Sequence, residues 1–109
     1  MSDDAASPEH EPGSGVPAGA VSREIPIINK RGLHARASAK FVQMVERFSA
    51  EVWVTKGNET VGGTSIMGLM MLSAGPGTSI VVSAIGPDAQ AAVDAITELV
   101  ASKFNEESA

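Results

Sequence analysis

The stretch that decides the fold is residues 24–48, EIPIINKRGLHARASAKFVQMVERF. Residues 24–29 predict a strand, and Pro26, which has no N–H to donate to a ladder, places that strand at a sheet edge. Gly32 permits a sharp turn out of the strand. Residues 35–48 predict a helix, because apolar side chains recur there at helical spacing. The residues that define this spacing are Phe41, Val45 and Phe48.

The remainder of the chain continues the alternation of strands and helices. Further strands are expected at residues 51–55, 59–62 and 78–85, and further helices at 66–72 and 87–104. The first two of these strands form a hairpin, in which Gly57 and Asn58 supply positive φ angles. The order βαββαβα predicts an α+β fold, a two-layer sandwich whose helices cover one face of a mostly antiparallel, four-stranded sheet.

The composition restricts the class of protein. The chain has 109 residues, of which 43% are hydrophobic, and this length predicts a single domain. It has no cysteine and only two histidines, so we expect no disulfide, no zinc site, no other metal and no cofactor. The longest apolar runs are far shorter than the ~20 residues of a membrane-spanning helix, so we expect no membrane insertion.

The charge is unevenly distributed along the chain. Residues 1–22 carry four acidic and no basic residues and are rich in Ser, Ala, Pro and Gly, which predicts a disordered acidic tail before a folded domain at 23–109. This tail lacks the basic start and apolar core of a signal peptide, so a cytoplasmic location is expected. Residues 30–47 carry five basic residues and one acidic residue, whereas the whole chain has a net charge of −5, which argues against nucleic-acid binding.

His34 is the first candidate for chemistry, because it falls at the N-cap or the first turn of the predicted helix. Histidine is a poor N-cap, but the free N–H groups and positive end of a helix favour an anion there. A phosphate on the nucleophilic imidazole would find the N–H groups of residues 35–37, with Arg36 within reach. The alternative is a half-buried histidine beside a solvated basic cluster.

A second candidate is Ser65, which precedes the short apolar helix. It is well placed as an N-cap, and phosphorylation would set up to two negative charges against the helix N-terminus. Leu69 and Leu72 are expected to face the core, which leaves an apolar patch partly exposed. This patch comprises Ile66, Met67 and Met70. Methionine-rich surfaces adapt to several partners, which predicts a docking surface. The alternative for Ser65 is a plain N-cap, and the alternative for the patch is a loosely packed core helix.

Two motifs in order and at their proper spacing resemble those of the HPr family. They are Gly-Leu-His-Ala-Arg at 32–36 and Ser-Ile-Met-Gly-Leu-Met at 65–70. HPr proteins are the histidine-containing phosphocarriers of the phosphoenolpyruvate-dependent phosphotransferase system. The resemblance extends from about residue 23 to residue 106 in the order and length of the elements.

The resemblance implies an open-faced sandwich of strand order 1-4-2-3 and a monomeric phosphoryl-transfer intermediate rather than a standalone enzyme. In the family, the histidine accepts a phosphoryl group from Enzyme I on Nδ1 and passes it to an A-type component. That role falls on His34, and Arg36 would stabilise the phosphate. Ser65 matches the serine that HPr kinase/phosphorylase modifies in some bacteria. The apolar patch matches the family's docking surface, with Ile66, Met67 and Met70 as its members.

Two positions depart from the family pattern. Ala37 stands where proline is usual, and alanine should be tolerated because proline there only presets the helical φ. Gly68 stands where many members of the sugar branch have lysine, which predicts an altered choice of partner. The Asn-Lys-Arg-Gly-Leu-His segment and the Leu-Met-Met-Leu run are closer to NPr, the paralogue of the nitrogen-related branch. The alternative function is a regulatory interaction module of that branch, with His34 idle.

Overall fold

The computed structural model describes residues 16–106, and four antiparallel strands form its sheet. The strands are β1 (Val21–Pro26), β2 (Glu51–Lys56), β3 (Glu59–Gly62) and β4 (Ser79–Ile85). The helices are α1 (Ala35–Val45), α2 (Ile66–Met71) and α3 (Ala89–Ala101). The sheet order is β1-β4-β2-β3, so the predicted fold and strand order are confirmed.

The core lies between one face of the sheet and the helices. Alternate side chains of β4 are fully buried there, against apolar stripes of α1 and α3. The fully buried residues include Ile80, Val82, Ala84, Phe41, Val93 and Ile96. The opposite face of the sheet carries polar cross-strand pairs, for which Ser22 Oγ and Ser83 Oγ at 2.8 Å are an example. The sheet is therefore covered on one side only, as the resemblance implied.

The first strand is displaced from its predicted position. It was expected at residues 24–29 but occupies Val21–Pro26, because these six residues pair in register with β4 from Ala84 back to Ser79. Val21 and Ser22 therefore belong to the strand rather than to the expected tail at 1–22. The expected tail lies mostly outside the described residues, as does His10. Pro26 is the last residue of the strand, although Ile27 still donates to the Thr78 carbonyl and accepts from Gly77 N–H before the chain turns towards α1.

All three helices are shorter than predicted, α2 by a single residue and α1 and α3 by more. α1 was expected to reach Phe48 but ends at Val45, after which Arg47 and Phe48 donate to carbonyls only three residues back. α3 was expected to span residues 87–104 but covers Ala89–Ala101. It is followed by a turn, Lys103–Asn105, in which all three residues have φ near +59°. We call this segment the left-handed turn.

The tip of the hairpin differs from its prediction in one residue. Gly57 has φ +61°, but Asn58 does not have a positive φ. Glycine alone at the first central position is the pattern of a type II′ turn, which fits the twist of the flanking strands. None of the helices within residues 16–106 is long and apolar enough to cross a membrane.

Candidate functional site

The chain turns from β1 into α1 through residues 27–33, which we call the glycine loop because its backbone requires glycine at position 32. Gly32 has φ +65°, and a Cβ there would meet the carbonyl oxygen of Ala74 and lie 2.8 Å from Gly75 Cα. The N–H of Leu33 donates to the same Ala74 carbonyl at 3.0 Å. Because Ala74 and Gly75 follow α2, the loop before α1 is packed against the C-terminal end of α2.

His34 is the N-cap residue of α1, as one of the two sequence alternatives had it. Its backbone is extended, with φ −75° and ψ −178°, and its carbonyl accepts the first helical bond, from Ser38 N–H at 2.8 Å. Its side chain forms no capping hydrogen bond, so the imidazole does not pair with the N–H groups of the first helical turn, which have no partner within the helix. The imidazole is therefore available for other contacts.

The side chain that contacts His34 is Glu106, a residue that no sequence motif had indicated. Glu106 Oε2 lies 2.5 Å from His34 Nε2, and only 10% of the glutamate side chain and 20% of the histidine side chain are exposed. His34 Nδ1 forms no hydrogen bond within residues 16–106. An ionised carboxylate can only accept, so the ring hydrogen lies on Nε2, and the lone pair of a neutral ring lies on Nδ1.

Asn29 joins this pair to the glycine loop. It is fully buried, and its Nδ2 donates to the Gly32 carbonyl at 2.9 Å and to Glu106 Oε1 at 3.3 Å. Two acceptors around one nitrogen fix the orientation of the amide, since the flipped amide would set oxygen against oxygen. Its Oδ1 is buried with no partner among the described residues. Asn29 therefore holds Glu106 and the glycine loop together through its Nδ2, while its Oδ1 remains an unsatisfied buried acceptor among the described residues.

The carboxylate of Glu106 is held in its ionised form by these contacts. Burial raises its pKa, but the hydrogen bonds from His34 and Asn29 and the charges of His34 and Lys40 outweigh burial. The pKa of Glu106 therefore lies below its ordinary value of 4.5.

The left-handed turn brings Glu106 back to the start of α1. Left-handed backbone costs roughly 1–2 kcal/mol for each residue other than glycine, so this turn needs support from elsewhere. Phe104 supplies part of it through complete burial, and Lys40 Nζ supplies more by donating to the Phe104 carbonyl at 2.6 Å. α3 is thus followed by a strained turn, and this turn places Glu106 in contact with His34.

Arg36 lies in the first turn of α1, two residues beyond His34. It is exposed and forms no ion pair or hydrogen bond within residues 16–106. Of the predicted basic segment, Lys30, Arg31 and Arg47 are likewise exposed, whereas Lys40 is bound to the left-handed turn. The free guanidinium near the N-terminus of α1 is thus available to an anion.

Ser65 caps α2, and its Oγ accepts a hydrogen bond from Gly68 N–H at 2.9 Å. A Cβ on Gly68 would lie 2.9 Å from that Oγ and 3.0 Å from Val61 Cβ, so a side chain at this position would disturb the cap. A helix of six residues is about 9 Å long, and its far end meets the glycine loop. Ser65 and His34 therefore lie near opposite ends of α2.

The apolar patch on α2 is exposed as the spacing predicted. Leu69 and Leu72 are buried, while 40% of Ile66, 71% of Met67 and 41% of Met70 is exposed. Met71, which the sequence reading left out, is exposed to the same extent as Met67 and lies at the end of α2 nearest the glycine loop. The exposed apolar surface of α2 is therefore larger than predicted.

Comparison with known proteins supplies the family. A family model described as the phosphorylation site of the HPr component of the phosphotransferase system matches residues 21–102. The chain belongs to the HPr family. The phosphocarrier protein HPr of Neisseria meningitidis serogroup A is 51% identical over 86 residues, which cover 79% of this chain and 97% of that protein. The phosphocarrier protein NPr of Shewanella violacea is 42% identical over 88 residues, covering 81% of this chain and 97% of its own.

A solved structure agrees with this membership of the HPr family. The crystal structure of HPr from Thermoanaerobacter tengcongensis has 45% sequence identity and a TM-score of 0.76, and it covers 80% of this chain and 98% of its own. The predicted family and its phosphocarrier function in the phosphotransferase system are confirmed. Membership of the family implies partners from that system. Within residues 16–106, no group of three or more His, Asp or Glu side chains is arranged to hold a metal ion.

Proposed function

We propose that His34 is the residue that carries the phosphoryl group, accepted on Nδ1 from Enzyme I and passed to an A-type component of the phosphotransferase system. The observation that carries this proposal is the ring at the N-terminus of α1 with Nε2 bound to Glu106 and Nδ1 without a partner in the described residues. The nucleophilic nitrogen thus lies at the N-terminus of α1, whose first backbone N–H groups have no partner within the helix.

Arg36 is proposed to stabilise the phosphate on His34. Its guanidinium has no competing carboxylate within residues 16–106, and it is on the same helical turn as the free N–H groups. A bidentate arginine and backbone donors together would neutralise the charge of a phosphoryl group during transfer.

The surface of α2 is proposed as the docking site for these partners in the cytoplasm. The apolar patch and Met71 offer exposed methionines that can repack against different surfaces. Ser65, at the edge of this surface, is proposed as the site where HPr kinase/phosphorylase would add a phosphate that weakens docking. The carrier is proposed to act as a monomer.

We propose that the protein acts in the HPr branch of the phosphotransferase system. The relative named NPr is 42% identical and the Neisseria relative named HPr is 51% identical, which favours the HPr branch over the nitrogen-related branch. A regulatory module with His34 idle remains the alternative, and it predicts binding of partners without transfer of phosphate.

The experiment is incubation of the purified protein with Enzyme I and phosphoenolpyruvate. We expect one acid-labile, base-stable phosphate on His34 of the wild type. His34→Gln should take up none and remain folded, because a glutamine amide can still donate to Glu106. His10→Gln is the matched control and should be labelled normally. A wild type that takes up no phosphate would support the regulatory module, and label on His10 in the His34 variant would overturn the assignment.

A further inference from the structure

We propose that Glu106 is a positioning residue for phosphoryl transfer, because its carboxylate holds the imidazole of His34 with the hydrogen on Nε2 and the lone pair on Nδ1. This inference rests on the proposed role of His34. It concerns a residue four positions beyond the segment that the family model matches, residues 21–102.

The first support is the geometry of the pair. The Oε2–Nε2 distance of 2.5 Å lies in a site where nine-tenths of the carboxylate side chain is buried. Little water competes for the carboxylate there, so the hydrogen bond is stronger than one on the surface. A neutral imidazole has one ring hydrogen, and a carboxylate that accepts it at Nε2 leaves Nδ1 as the nucleophile.

The second support is the structure built to hold the carboxylate. The left-handed turn is strained, and three contacts stabilise it and the residue that follows. Phe104 is buried, Lys40 donates to the Phe104 carbonyl, and Asn29 donates to Oε1 of Glu106. Each of these contacts helps to fix Glu106 against one ring nitrogen. A segment that merely closed the core after α3 would need the burial of Phe104 but not the contacts of Asn29 and Glu106.

The consequence for the reaction follows from the movement of charge. The lone pair on Nδ1 forms the new N–P bond, while the bond between phosphorus and the donor breaks and its electron pair leaves with the donor. No proton has to move, because Nε2 already carries its hydrogen. The ring of His34 becomes positively charged as the bond forms, and the carboxylate of Glu106 stabilises this charge at the opposite nitrogen.

The test compares Glu106→Gln and Glu106→Ala with the wild type in single-turnover transfer from phosphorylated Enzyme I. The glutamine retains a hydrogen-bond acceptor without the charge, and the alanine removes both. We expect the rate constant of transfer to fall about tenfold or more in the alanine variant, with an intermediate value for glutamine. The concentration of protein needed for half-maximal rate should change much less, because the carboxylate is buried.

Nitrogen-15 NMR of the His34 ring supplies a readout that a structural role would not move. The wild type should show a slowly exchanging Nε2 proton shifted downfield by the carboxylate, and this signal should be lost in Glu106→Ala. Glu98→Gln, which neutralises an exposed carboxylate on α3, is the matched control and should leave the rate, the signal and the melting temperature unchanged.

The outcomes separate the two proposals. If the wild type is not phosphorylated on His34, the proposed function fails. If His34 is phosphorylated but both Glu106 variants transfer at the wild-type rate, Glu106 is structural and only the present inference is overturned. Faster transfer in Glu106→Ala would also overturn it, since the carboxylate would then repel the incoming phosphate rather than support the ring.

Discussion

Arg36 and Glu106 flank His34 in contrasting surroundings. The glutamate is buried and bound on both oxygens, whereas the guanidinium is exposed and has no partner within residues 16–106. The two charges are therefore suited to different tasks at His34. A buried carboxylate acts on the ring at all times, while an exposed guanidinium can engage a phosphate only when one arrives.

Arg36→Ala should slow phosphoryl transfer to His34 by roughly 10- to 100-fold, because a charge-assisted bidentate contact to the phosphate is lost. Arg36→Lys should restore only part of the rate, since a point charge replaces a planar fork. Arg31→Ala is the control, as it removes an exposed positive charge from the adjoining loop. Rates measured against Enzyme I concentration separate transfer from docking. Equal transfer by all of these variants would remove Arg36 from the site.

α2 connects the two ends of the functional surface. Its C-terminal end meets the glycine loop before His34, and its N-terminal end is capped by Ser65. The helix has only six residues, so its stability depends on the burial of Leu69 and on that cap. A charge added at the cap would act on partners that cover α2, because a negative charge at a helix N-terminus does not destabilise the helix itself.

Ser65→Asp should slow phosphorylation of His34 by weakening the docking of Enzyme I, with little change in melting temperature. Aspartate is as good an N-cap as serine, so the helix should persist. Ala91→Asp adds the same charge to the exposed face of α3 and is the control. Kinetics at low and high ionic strength should show a defect that salt reduces. A variant of Ser65 that docks normally at low salt would leave the residue as a plain cap.

At the scale of the whole molecule, the pair of Glu106 and His34 connects the residues after α3 with the loop before α1. The pKa of Glu106 is lower in the folded chain than its ordinary value of 4.5, so its ionisation favours folding above that pH. This contribution is lost as the pH falls through the lower pKa of the folded state. Acid should therefore weaken the connection between the two segments before it affects the apolar core.

The free energy of unfolding of Glu106→Gln should fall short of the wild-type value at about pH 7, and the deficit should shrink below about pH 4.5. Urea unfolding at both ends of this range measures it. Glu98→Gln, on the exposed face of α3, should show no such convergence. A deficit that stays constant down to about pH 3 would mean that the Glu106 carboxylate does not contribute through its ionisation.

The elements of this fold were predictable because their signals are local. Helical and alternating spacing indicated every strand and helix, although β1 begins three residues before its predicted position. The cap positions of His34 and Ser65 followed from where α1 and α2 begin. Glu106 was not predictable, since its contact joins positions 72 residues apart and depends on the left-handed turn. That turn contains no glycine, and its residues continued the expected helix to Phe104. Tertiary contacts of Phe104 and Lys40 overrode the local preference there.

The strand order β1-β4-β2-β3 also determines the order in which the strands can pair while the chain is being synthesised. The hairpin of β2 and β3 can close at once, but β1 pairs only with β4, and Pro26 meets Ser79, which is synthesised 53 residues later. At about 5–20 residues per second, β1 waits roughly 3–10 s without a partner. Only Ile25 of its six residues becomes fully buried, and Pro26 blocks one ladder position. The unpaired first strand therefore offers a neighbouring nascent chain little apolar surface and an incomplete set of backbone N–H groups.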